Sequence, residues 1–178
     1  MRASVFIATS LDGYIARENG DLDWLPADGG VSDGEDHGYG AFMASVDTIV
    51  MGRHTFEKVL TFGRWPYGEK PVVVLTSKST GLPPLTAAKV EFMGGTPQEV
   101  VARLVERGTQ HLYVDGGITI QRFLQAGLIQ RVIITRIPII LGSGIPLFAP
   151  VGRDIKLQHV TTRQYPSGFV QSEYLVAA

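Results

Sequence analysis

Apolar residues along the chain fall into short runs separated by turns rich in Gly, Asp and Pro, and the runs follow two periods. Residues 5–9, 46–51, 71–76 (PVVVLT), 89–92, 111–114 and 131–137 are brief, largely continuous and β-branched. Such runs are expected of strands buried on both faces. Between them lie segments of helical period. Residues 35–45 place Tyr39, Phe42 and Met43 on one helical face, and a second helix is predicted through 55–60. The segment 96–107 carries its own start and stop. Thr96 caps, Pro97 suits the first turn, Glu99 completes a capping box, and Gly108 ends the helix. A further helix is predicted from the Gly116-Gly117 pair to Ala126. Residues 156–163 and 169–176 form a closing antiparallel hairpin around Pro166-Ser167-Gly168. Residues 10–33 are predicted as one long ordered loop, of the kind that usually serves function.

Strands alternating with helices predict an α/β fold of three layers, α/β/α, with a mostly parallel central sheet and an antiparallel edge. No repeat or linker interrupts the pattern, and 178 residues suit one domain, 1–178. Sixteen basic and seventeen acidic side chains leave a net charge of −1, so no general attraction to nucleic acid or to an anionic membrane is expected. The chain has no cysteine. Disulfides, thiol catalysis and thiolate metal sites are thereby excluded, no metal is expected, and a cytoplasmic setting fits. The apolar run at the N-terminus is too short for a signal peptide.

Three strand-to-helix junctions carry the candidate chemistry, because ligands of such sheets bind at the carboxyl ends of the strands. Met51-Gly52-Arg53-His54-Thr55 combines a tight turn, a helix start, a hydroxyl and a guanidinium, a set suited to phosphate. Val114-Asp115-Gly116-Gly117 puts two glycines before another helix. Leu75-Thr76-Ser77-Lys78 ends a strand in hydroxyls and an ammonium. Each alone also reads as an ordinary turn or cap, and no GxGxxG is present. The conjunction at one sheet edge favours a dinucleotide.

The motifs SLDGYIA (residues 10–16), GDLDWL (20–25) and MGRHTFE (51–57), with YVDGGITIQRFLQAGLIQRVIITRIPIILGSGIPLF (113–148), resemble the dihydrofolate-reductase-like superfamily. Within it they are most similar to the reductase domain of the bifunctional riboflavin-biosynthesis deaminase–reductase and its stand-alone relatives. The resemblance covers nearly the whole chain and implies an eight-stranded sheet that binds NADPH. It implies that Ala8 and Ile15 line the nicotinamide site and that Gly20 belongs to the loop over the cofactor. Gly52, Arg53, His54 and Thr55 would hold phosphates, with Arg53 near the adenosine 2′-phosphate. Thr76, Ser77 and Lys78 would flank adenosine, and Gly116, Gly117, Ile118 and Thr119 would meet the pyrophosphate. The chain lacks the zinc deaminase domain of the bifunctional enzyme and its cysteines.

The implied activity is reduction of a small heterocyclic or pyrimidine-type substrate, similar to the 5-amino-6-(5-phosphoribosylamino)uracil reductase step. Dihydrofolate reduction and non-catalytic NADPH binding are the alternatives. Hydride transfer to a C=N bond needs a proton donor. The candidates are Asp36, on the predicted first helix, and Asp12, with Asp28 a third. Asp36 as a helix-start carboxylate and Asp12 as a turn former are equally good readings. Arg64 and Trp65 stand near a possible substrate mouth. The glycine-broken apolar segment 139–148 and the resemblance together imply a homodimer.

Overall fold

The computed structural model describes residues 1–26, 35–77 and 89–177. The chain runs β1 (Arg2–Thr9), β2 (Tyr14–Ala16), α1 (Tyr39–Ser45), β3 (Thr48–Gly52), α2 (Arg53–Leu60), β4 (Val72–Leu75) and β5 (Val90–Met93). It continues with α3 (Pro97–Glu106), β6 (His111–Asp115), α4 (Gly117–Gln125), β7 (Arg131–Arg136), β8 (Ile145–Pro146), β9 (Leu157–Gln164) and β10 (Val170–Val176). Eight strands form one sheet in the order β5-β4-β3-β6-β1-β7-β10-β9, and β2 pairs with β8 in a separate ribbon. The six strands from β5 to β7 are parallel, and β10 and β9 close the sheet antiparallel.

Alternation along each strand builds two cores. Val50, Val73, Leu112 and Val114 turn to one face, where they meet Val100 and Leu104 of α3 and Ile120 and Phe123 of α4. Ile49, Met51, Val72, Val74 and Tyr113 turn to the other, beneath Phe42 of α1 and Phe56 and Val59 of α2. Continuous apolar runs are what a sheet buried on both faces requires. A third cluster joins Trp24, Ile137, Tyr165 and Phe169, with Ala8 packed against it.

The structure corrects three expectations. The stretch expected as one loop from residue 10 contains β2, tied to β8 by Leu147 N–H donating to the Gly13 carbonyl at 3.0 Å. Its residues 27–34, Asp28 among them, lie outside the described residues. The first helix begins at Tyr39, because His37 (φ 54) and Gly38 (φ 78) adopt left-handed backbone that cannot belong to it. Asp36 therefore stands before the helix. Conversely α2 begins at Arg53, which places Arg53 and His54 inside its first turn.

Candidate active site

The carboxyl ends of β4, β3, β6 and β1 stand side by side, in that order. At about 4.8 Å per strand they span roughly 14 Å of one sheet edge. The junctions found in sequence follow the same order: Thr76 and Ser77 after β4, Gly52-Arg53 after β3, Gly116-Gly117 after β6, and Ala8 at the end of β1. Lys78 lies outside the described residues.

The junctions are keyed into one another. Gly116 has φ 88, and a Cβ there would overlap the Thr55 hydroxyl. A Cβ on Gly52 would lie 3.0 Å from Thr119 Oγ1, and one on Gly117 would lie 2.8 Å from Ile15 Cδ1. The structure thus brings Gly52, Thr55, Gly116, Gly117, Thr119 and Ile15 into one contact set. Glycine is needed here first so that neighbouring elements can close on each other. Gly20 (φ 82) sits in a turn of residues 17–20, which Lys58 of α2 holds by donating to Asp21 at 2.9 Å.

The edge has an electrostatic sign. Helix N-termini carry partial positive charge and unpaired N–H groups. α3 satisfies its own with the Thr96–Glu99 capping box. α2 and α4 have glycine at the N-cap and no side-chain cap. Arg53 reaches Glu57 only loosely, at 3.6 Å, and His54 is 80% exposed. Ile118 is also exposed, at the first turn of α4. Two uncapped helix starts on adjacent strands, with a guanidinium beside them, are a donor set that fits a diphosphate. Among the described residues no group of three or more His, Asp or Glu side chains is placed to hold a metal.

The two acids expected from sequence are placed as acceptors. Asp12 accepts from Ser10 Oγ at 2.6 Å and from the Leu141 and Gly142 N–H groups at 3.1 and 2.8 Å. The Ser10 hydrogen bond, more than any other contact, holds its carboxyl below the usual range. Asp36 accepts from Gly40 N–H at 2.9 Å and Gly38 N–H at 2.8 Å, and those bonds lower it too. Both are exposed, ionised carboxylates bound to backbone, which is poor chemistry for storing a proton. They serve to shape the chain: Asp12 ties residues 10–13 to residues 141–142, and Asp36 organises the entry to α1.

A different carboxylate has the opposite character. Asp115 ends β6 on the Tyr113 face, and burial pushes its carboxyl up to about 6, against the lowering effect of the Gly116 N–H bonded to it at 2.8 Å. It is only partly exposed. Three tyrosines feel its charge. Burial and Asp115 push the Tyr39 hydroxyl to about 12 and raise Tyr67 and Tyr113 further. Tyr113 donates to the Phe6 carbonyl at 2.9 Å. Trp65 packs edge-on against Phe56 and Tyr67, so it supports this wall as loop packing. In the sequence, Asp115 reads as part of the glycine turn Val114-Asp115-Gly116-Gly117. The available signal was a carboxylate closing the apolar run Leu112-Tyr113-Val114.

A sheet of this strand order, parallel but for its last two strands, defines a protein of the dihydrofolate-reductase-like fold. Residues 4–171 match the RibD C-terminal domain family, and the chain belongs to it. It is 36% identical over 176 residues to YwjB of Bacillus subtilis, an uncharacterised protein, covering 97% of both chains. It is 40% identical to a Shewanella sp. PV-4 protein named for riboflavin biosynthesis, with a TM-score of 0.91 and full coverage of both. At the level of fold alone it is similar to a dihydrofolate reductase from Enterococcus faecalis complexed with NADP(H). That match has 18% identity and a TM-score of 0.66, and covers 99% of this chain and 97% of that one.

Proposed function

We propose that this protein is an NADPH-dependent reductase of a small heterocyclic, pyrimidine-type substrate. The observation that carries the reading is the single row of junctions in which α2 and α4 present uncapped N-termini beside Asp115. Reduction of a C=N bond adds a hydride to carbon and a proton to nitrogen, and the bound dinucleotide supplies the hydride. The chain's residues do the rest. The first turns of α2 and α4 and Arg53 bind phosphate groups, and Thr76 and Ser77 flank the adenosine end. Ala8 and Ile15 wall the nicotinamide end. Asp115 holds the proton; at about 6, roughly a tenth of its carboxyls are protonated at pH 7, a useful poise for an acid. Tyr39 and Tyr67 exclude water around it.

The test is a tryptophan-fluorescence titration with NADPH and with NADH, followed by turnover with riboflavin-pathway pyrimidines and with dihydrofolate. Preferential NADPH binding and oxidation by a pyrimidine support the reading. Failure to bind either nucleotide overturns it. We also propose a homodimer. Ile140 and Phe148 are 69% and 50% exposed within a segment that otherwise buries Leu147. Sedimentation as a monomer at micromolar concentration would remove that part alone.

A further inference from the structure

A cavity of about 230 Å³ lies between α1 and the β7–β10–β9 side of the sheet. It is distinct from the edge described above. Ala41, Phe42 and Ser45 of α1, with Gly38 before it, line the cavity. No residue of α2 or α4 lines it. Phe6, Phe42 and Ile133 make an apolar floor, with the Phe6 and Phe42 rings 4.9 Å apart.

The rim is charged. Arg131 and Glu173 pair through two hydrogen bonds, at 2.7 and 2.9 Å, and Arg131 spends its fork there. Arg163 on β9 stands opposite Gln171 on β10 and reaches Glu173 only through its field; among the described residues it makes no salt bridge. Two guanidiniums against one carboxylate leave one positive charge on the lining. Ser45, Thr161 and Gln171 also line the cavity, as does His37. His37 is 5% exposed, has a left-handed backbone, and is packed between Tyr165 and Phe169. Its Nε2 has no hydrogen-bond partner among the described residues.

We propose that this cavity is a second ligand site, for a small aromatic carboxylate. The ring lies over Phe6 and Phe42, and the carboxylate meets Arg163. The volume admits one ring: it exceeds the roughly 150 Å³ that accepts benzene and falls below the roughly 300–1,000 Å³ of drug-sized sites. The single net charge matches a monoanion, and Glu173 repels a phosphate dianion.

The experiment is fluorine NMR of the full chain titrated with 4-fluorobenzoate, with neutral 4-fluorobenzamide as the matched probe. Saturable binding of the benzoate is expected, unaffected by NADPH and by Arg53→Ala. The benzamide should bind about tenfold more weakly, and Arg163→Gln should weaken the benzoate by a similar factor. Arg163 is on an exposed strand, and unchanged thermal unfolding of the variant will show that the fold is kept. Absence of saturable binding, equal binding of both probes, insensitivity to Arg163→Gln, or displacement by NADPH would each overturn the proposal. The cofactor titration is independent, so either result leaves the reductase reading where it stood.

Discussion

Thr119 Oγ1 lies 3.0 Å from the point that a Cβ on Gly52 would occupy, so the helix after β6 is fitted into the turn after β3. Thr55 returns the contact from α2 onto Gly116. The two junctions therefore form one unit, and disturbance of either is felt by both.

Gly116→Ala should destabilise the fold, because φ 88 is strained for alanine and the new methyl meets Thr55. The strain alone costs about 1–3 kcal/mol. Urea unfolding should show the loss, and adding Thr55→Ala should restore part of it. No recovery in the double variant would mean that Thr55 is not the obstacle.

Arg53→Ala should weaken NADPH by roughly 10–100-fold and NADH much less, since only NADPH offers the extra phosphate to the guanidinium. Calorimetric titration of both nucleotides separates the cases. Equal loss for both would show that Arg53 does not read that phosphate.

Asp115 predicts a pH dependence with a definite sign. Its folded value, about 6, is above its ordinary 3.8, so the folded protein holds the proton more tightly than the unfolded chain does. Stability is then greatest below pH 4 on this account and falls as pH rises through about 6. Asp115→Asn should abolish that slope in chemical denaturation. It should also lower turnover by about a hundredfold or more, as loss of a general acid does. Turnover that persists in the asparagine variant would assign the proton to solvent.

Asp12 and Asp36 behave in the opposite sense. Their folded values are lowered, so what they contribute is present above pH 3.8 and is lost only as pH falls through those lowered values. Asp12→Ala should speed amide exchange at Leu141 and Gly142, and Asp36→Ala at Gly38 and Gly40, while turnover is largely kept. Loss of turnover without faster exchange would return either residue to the list of proton donors.

Much of this architecture is written in short-range pattern. The PVVVLT strand, the capping box at Thr96 and Glu99 and the paired glycines before α4 are local signals, and local geometry obeys them. That the junctions after β4, β3 and β6 share an edge also follows from sequence, because parallel strands joined through helices all point their carboxyl ends the same way. The character of the carboxylates is another matter. Asp12, Asp36 and Asp115 look alike in sequence, each beside or near a glycine. Asp12 finds its amides 129 and 130 residues away, and the charge of Asp115 is felt at Tyr39 and Tyr67 from separate elements. A side chain's affinity for a proton depends on the water it loses and the dipoles it meets, and chain-distant segments decide both. The sequence by itself determined the strands, the helices and the edge on which chemistry can occur. Only the tertiary structure decided which acid can keep a proton there.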